Sequence, residues 1–194
     1  MILIVNCGSN KVPYLEEIVN DHMDYKTISM YDVAKEPKEN YKGIVISGAP
    51  ILISQVNPEP YLEAFDFLKT VEIPVLGICF GHQILGMVYD AFPALEKEDR
   101  DWQNISFYEE SPLLTSLPKE VLMMEDHTEN ISIPPGFKLL GGSDLCINEA
   151  MEHREKALYG VQFHPEVSGN LGARIIENFV NICREKSKTS DEEI

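Results

Sequence analysis

Cys79 stands between two glycines in Gly77-Ile78-Cys79-Phe80-Gly81. It closes an apolar run, Ile73–Cys79, and precedes a stretch with helical spacing. A nucleophile presented on a sharp strand-to-helix turn needs small residues two positions to either side, where a side chain would clash. The positive end of the following helix points at the sulfur and favours thiolate over thiol. The Phe80 N–H then lies near an oxyanion on any substrate joined to that sulfur. Read alone, the pentapeptide fits a buried cysteine at a Gly-rich strand end equally well.

A second stretch, Tyr159-Gly160-Val161-Gln162-Phe163-His164-Pro165-Glu166, runs off another apolar strand. Pro165 biases His164 towards extended geometry, and residues i and i+2 of an extended segment face the same way. The spacing therefore predicts His164 and Glu166 projecting together from a strand end, the carboxylate orienting the imidazole. Thiol, imidazole and carboxylate supply nucleophile, base and orienter for acyl transfer. The blander reading is a strand-end histidine beside a solvated acid. It loses weight because both motifs terminate strands, at the edge where open parallel sheets hold their sites.

The elements that must position these groups follow from periodicity. Strands are predicted at 1–7, 25–30, 43–48 and 73–79, alternating with helices at 13–19, 58–69 and 81–89. That alternation implies a parallel sheet with right-handed crossovers. The second half is richer in strands (105–108, 121–125, 137–140 and 157–163) and ends in a helix from Gly172 to Cys183. The expected fold is an α/β, open, mostly parallel twisted sheet with helices on both faces, flavodoxin-like. One domain spans 1–185, and a polar, frayed tail spans 186–194.

Composition bounds the partners. The chain has 194 residues, 44% of them hydrophobic, which is enough to bury a core without a disulfide or metal. Its net charge of −16 repels phosphate backbones and anionic membranes, so no nucleic acid and no membrane are expected as partners. No apolar run reaches the roughly 18 residues of a membrane span, and no basic lead-in marks a signal peptide. A cytoplasmic location is expected. Cys7, Cys79, Cys146 and Cys183 are widely spaced with no C-x-x-C, so reduced thiols are expected and a metal site is not.

Gly77-Ile78-Cys79-Phe80-Gly81-His82-Gln83 together with Gly160-Val161-Gln162-Phe163-His164-Pro165-Glu166-Val167 resembles the class I (triad) glutamine amidotransferases. Pro134–Phe137, Ser143-Asp144 and Glu149-Ala150-Met151-Glu152-His153 extend the resemblance, specifically to the stand-alone glutaminase subunits of archaeal-type GMP synthetases, over residues 1–184. The resemblance implies Cys79 as nucleophile, His164 as general base and acid, and Glu166 as its orienting carboxylate. It implies backbone oxyanion donors at Ala49 and Phe80, and glutamine binding by Gly48, Gln83 and the His127 loop. It implies a γ-glutamyl thioester, with glutamate and ammonia as products. The ammonia acceptor lies on a separate ATP-pyrophosphatase-type synthetase, where ATP and Mg²⁺ belong, possibly for XMP to GMP; no cofactor is implied for this chain.

Three segments depart from the family pattern. Ser47-Gly48-Ala49-Pro50 replaces Ser-Gly-Gly-Pro, and a methyl at Ala49 costs roughly 1 kcal/mol if that residue takes φ > 0. Asp90-Ala91 replaces Gly-Gly, and Asp126 replaces a serine. Two other functions stay open on these residues: a free-standing γ-glutamyl amide or peptide hydrolase, and a catalytically silent binding module. Trp102 is either a cap on the pocket mouth or a half-buried structural residue.

Overall fold

The computed structural model describes residues 1–192. Its first half runs β1 (Ile2–Asn6), α1 (Val12–Asn20), β2 (Tyr25–Ser29), β3 (Gly43–Ile46), α2 (Glu59–Phe65), β4 (Val75–Ile78) and α3 (Phe80–Val88). Its second half runs β5 (Pro93–Asp99), β6 (Trp102–Phe107), β7 (Glu120–Met124), β8 (His127–Ile131), β9 (Phe137–Gly142), β10 (Ala150–His153), β11 (Leu158–Val161) and α4 (Gly169–Glu192). Nine strands form one sheet in the order β2-β1-β3-β4-β11-β10-β9-β6-β7, while β5 and β8 pair separately. The sheet is mixed. Strands β2, β1, β3, β4 and β11 are parallel, and β10, β9, β6 and β7 join antiparallel to them.

Strand β1 explains the layering. Its side chains alternate between faces, so Ile2 and Ile4 enter a core with Leu15, Val19, Phe179 and Val180 of α1 and α4. Leu3 and Val5 enter the opposite core, with Phe65, Phe80, Ile84 and Leu85 of α2 and α3. Strands apolar on both faces are what a helix-covered parallel sheet requires.

Several expected boundaries move. The helix predicted over 58–69 is α2 followed by a tighter 3₁₀ turn, Asp66–Lys69. The final helix does not stop at Cys183. It continues through Glu192, so residues 186–192 of the expected frayed tail are helical; 193 and 194 lie outside the described residues. Lysine, glutamate and an absence of Gly or Pro let the helix propagate there. Strands β5, β8 and β10 are additions. In β8 the inward residues are His127, Glu129 and Ile131, and two polar side chains on the buried face erase the alternation that marks a strand. Among the described residues no helix is long and apolar enough to cross a membrane.

Candidate active site

Three loops meet because three strands are neighbours. Strand β4 lies between β3 and β11, with Gly77 opposite Ile46 and Ile78 opposite Val161. The segments leaving these strands carry Gly48-Ala49, Cys79 and His164. The Cys79 N–H donates to the Val161 carbonyl at 2.8 Å, which ties the cysteine's turn to the strand that leads to His164.

Cys79 has φ 52° and ψ −106°, a conformation that side chains rarely adopt. The glycines around it permit that turn. A Cβ at Gly77 would strike the Gly81 carbonyl, and one at Gly81 would strike the Ile46 carbonyl. Both clashes are with backbone, so neither can be relieved by rotating a side chain. Strain of this kind persists where surrounding structure over-determines it, and it clusters at active sites. Gly48 serves the same crowded point: a Cβ there would lie 3.0 Å from His164 Cε1 and 3.5 Å from Cys79 Cβ.

His164 and Glu166 are brought together, but not by an extended strand. Strand β11 ends at Val161, and Pro165–Val167 is a 3₁₀ turn that begins after His164. The turn folds the carboxylate back, so His164 Nδ1 lies 2.8 Å from Glu166 Oε1 with both residues buried. Two further bonds hold the loop. The Ser168 hydroxyl donates to the His164 carbonyl at 2.6 Å, and the His164 N–H donates to the Met124 carbonyl at 2.9 Å. With Nδ1 engaged, Nε2 is the nitrogen left to face Cys79.

Electrostatics fit a coupled pair. Burial alone would discharge the His164 ring, but the Cys79 sulfur and the Glu166 carboxylate outweigh it and hold its pKa above the ordinary value. Cys79→Ala removes the strongest of those supports and leaves the burial. His164 is therefore expected to be protonated near neutral pH in the native protein and to titrate at lower pH in Cys79→Ala. NMR titration of the imidazole resonances checks this; an unchanged midpoint would break the coupling.

The other three thiols lie in the core. Burial pushes Cys7 and Cys183 up to about 12, and Cys146 upward as well. Of the four, only Cys79 lines the cleft of about 470 Å³ that His164 also faces. Iodoacetamide at neutral pH is expected to label Cys79 alone, as read by peptide mapping. Equal labelling of all four would remove Cys79 from its special role.

The same cleft is lined by Ala49, Gln83, His127 and His164. Ala49 carries no strain, since the non-glycine residues with positive φ are Cys79, Asp90 and Ser116. The missing family glycine is thus costless at Ala49 and is felt instead at Asp90, with φ 67°. The Gln83 amide donates to the Glu129 carbonyl and to Gln162 Oε1, at 3.0 and 3.1 Å. Trp102 is exposed on β6 and does not line the cleft.

Sequence reasoning marks Asp126 only as a departure from the family's serine and misses the two cations that join it at the cleft. Lys11 and Arg100 both form ion pairs with Asp126, from loops far apart in the chain. Burial works against its charge, yet these cations keep the Asp126 carboxyl below its ordinary range. The Asp126 carbonyl oxygen lies 4.0 Å from the Cys79 sulfur. No local pattern announces such a cluster, because its members meet only in the folded sheet.

Comparison with known proteins agrees with this geometry. Residues 3–183 match the family described as Glutamine amidotransferase class-I. The chain is similar to a subunit of the glutamine-hydrolyzing GMP synthase of Pyrococcus furiosus, 40% identical over 147 residues, covering 74% of this chain and 77% of the relative. The corresponding Methanococcus aeolicus protein is 37% identical over 189 residues, covering 94% and 97%. A crystal structure from Thermoplasma acidophilum, provisionally assigned as a GMP synthase subunit of the same kind, superposes with a TM-score of 0.90 at 24% identity. It covers 98% of this chain and 96% of that one. A strained cysteine elbow, a histidine–glutamate pair just beyond the adjacent strand and a match across nearly the whole chain lead to one assignment: this protein is a class I glutamine amidotransferase.

Proposed function

We propose that this chain is the glutaminase subunit of a GMP synthase, with Cys79, His164 and Glu166 as its catalytic triad. It passes ammonia to a separate ATP-dependent synthetase subunit that aminates XMP. The observation that carries the reading is the meeting of Cys79 with the buried His164–Glu166 pair at one cleft, in a chain similar along 94% of its length to a glutamine-hydrolyzing GMP synthase subunit.

The chemistry needs only groups already in place. Once His164 has taken the thiol proton, the Cys79 sulfur adds to the glutamine carboxamide carbon. The backbone N–H groups of Phe80 and Ala49 receive the oxyanion. Phe80 opens α3, where amides have no intrahelical acceptor. Collapse breaks the C–N bond, and His164 returns its proton to the departing nitrogen, releasing ammonia. Water then attacks the γ-glutamyl thioester while His164 accepts its proton. The C–S bond breaks, glutamate leaves and the thiol is restored. Gly48 keeps the approach to the sulfur open, while Gln83 and the His127 loop hold the glutamine. ATP and Mg²⁺ act on the synthetase.

The synthetase is assigned to the face beside the cleft. Phe92, Leu95 and Ile147 are 77%, 55% and 75% exposed there. Ser132 joins this ground: its hydroxyl accepts from the Phe92 N–H, and its carbonyl accepts from the Asn148 amide. An apolar centre on a chain of net charge −16 suits a partner with a basic rim. Phe92→Glu with Ile147→Glu is expected to leave turnover of the uncomplexed protein unchanged. It should weaken synthetase binding on the order of 30-fold or more, the effect of losing a hot spot. Glutamine-dependent GMP formation with the cognate synthetase, against ammonia-dependent formation as control, tests the whole reading. Loss of the glutamine reaction in Cys79→Ala with the ammonia reaction intact is the expected result. GMP formation from glutamine in that variant would overturn it.

A further inference from the structure

Beside the cleft, around β8, the structure buries more acid than its hydrogen bonds can settle. Glu125, His127 and Glu149 are 1%, 7% and 0% exposed. One ligand-type atom from each lies within 4.8 Å of the others. No backbone N–H, amide or hydroxyl among the described residues donates to either Glu125 oxygen or to Glu149 Oε2. His127 Nε2 is likewise unpartnered, although Glu125 Oε2 is 3.2 Å away. Orphaned buried carboxylates are costly unless a proton or a cation compensates them.

The surroundings hold the three side chains in the orientation of metal ligands. His127 Nδ1 lies 3.2 Å from the Glu129 carbonyl. A proton on Nδ1 satisfies that oxygen and leaves the Nε2 lone pair facing the two carboxylates, the usual orientation of a metal-binding histidine. The Ser143 hydroxyl donates to the outer oxygen of Glu149 at 2.7 Å, fixing which oxygen points inward. Asp99, paired with His127 across β5 and β8, turns a further buried and unpartnered oxygen, Oδ2, to this region, while its Oδ1 accepts from Gln103.

We propose that Glu125, His127 and Glu149 form a binding site for a divalent cation of the zinc type. One nitrogen and two carboxylate oxygens suit that ion, with bonds of about 2.0–2.2 Å. Two carboxylates against a 2+ charge make the site neutral, removing the burden that burial imposes. Tetrahedral bonds of that length separate ligands by about 3.4 Å, against ligand atoms that already lie within 4.8 Å of one another. His127 also lines the cleft, which gives the ion a way in. Cysteine spacing alone predicts no metal here, because none of the ligands is a cysteine and Glu149 is remote in sequence.

The test uses the full-length Cys79→Ala protein, so that the catalytic thiol and imidazole do not themselves capture zinc. After treatment with a chelator, Zn²⁺ is titrated calorimetrically. Co²⁺ substitution reports the geometry through its visible ligand-field band. One tight equivalent, an elevated melting temperature and a tetrahedral Co²⁺ band are expected. Adding Glu149→Gln is expected to weaken binding by about a hundredfold or more. Glu125→Gln, which preserves shape and can be checked by circular dichroism, is expected to do the same should Glu149→Gln fail to fold. Absence of a tight equivalent in Cys79→Ala would overturn the site and leave a proton shared between the two carboxyls. Undiminished binding in a folded Glu125→Gln or Glu149→Gln variant would overturn it equally, assigning the ion to the acidic surface. None of these outcomes depends on glutamine turnover, so the triad reading and the metal site fail separately.

Discussion

His164→Ala is expected to reduce glutamine hydrolysis on the order of 10⁴–10⁶-fold, to the residual rate that binding and the oxyanion donors sustain alone. His164 is the group positioned to move the proton twice, towards the departing nitrogen and away from the attacking water. Its ring is fixed by Glu166 at 2.8 Å on one side and faced by Cys79 on the other. Cys79→Ala should fall equally far, and the double variant scarcely further, because nucleophile and base act as one unit. Glu166→Gln is expected to fall less than either. In the proposed mechanism the carboxylate accepts no proton; it holds the ring and stabilises its charge. Steady-state turnover with a coupled glutamate assay reads all four proteins. Comparable turnover in His164→Ala and the native protein would mean that another base serves Cys79.

The second large effect concerns the partner. By itself the protein is expected to hydrolyse glutamine slowly, and binding of the synthetase to raise turnover on the order of 10²–10³-fold. That is about the worth of one well-placed oxyanion donor. The structure supplies a path for the coupling. Glu129, on β8, accepts from the Ile53 and Ser54 N–H groups at 2.7 and 2.9 Å. It thereby ties the segment that follows Ala49 to the two-stranded sheet carrying Phe92 and Leu95. On the proposed function, a partner seated on β5 and β8 is expected to act on the Ala49 turn through this side chain. The same sheet bears on Arg100 and Asp126, whose ion pairs with each other and with Lys11 close over the cleft. Glu129→Ala should therefore retain synthetase binding yet lose most of the stimulation. Rising salt should weaken association with a partner of opposite charge. Full turnover without the synthetase, and indifferent to its addition, would instead describe a free-standing hydrolase.

What was legible in the sequence follows the range of the forces involved. The elbow at Cys79 could be read because its requirement is local: two glycines, two residues either side, each facing backbone. Adjacency of Cys79 and His164 could be read because both follow apolar strands of a parallel sheet, and β4 and β11 are indeed neighbours. The means by which Glu166 reaches His164 was not legible. The spacing suggested an extended segment, whereas the chain leaves His164 in a 3₁₀ turn that folds Glu166 back onto it. Strand β8 was hidden by the polar side chains it turns inward, His127 and Glu129, and those same residues serve the cleft and its supports. Lys11 and Arg100 beside Asp126 were invisible for a different reason. Their meeting depends on the register of distant loops, which no window of sequence contains. Ala49 shows the converse error: a strain inferred from the family pattern vanishes because the backbone there keeps an ordinary φ.

The central claim is that Cys79 carries the γ-glutamyl group. Incubation with a γ-diazoketone analogue of glutamine, followed by intact-mass measurement and peptide mapping, tests it most directly. The account predicts one adduct per chain, on Cys79, slowed by excess glutamine and absent in His164→Ala at the same exposure. An adduct on Cys7, Cys146 or Cys183, or a glutamine-hydrolysing protein in which Cys79 stays unmodified, would contradict it.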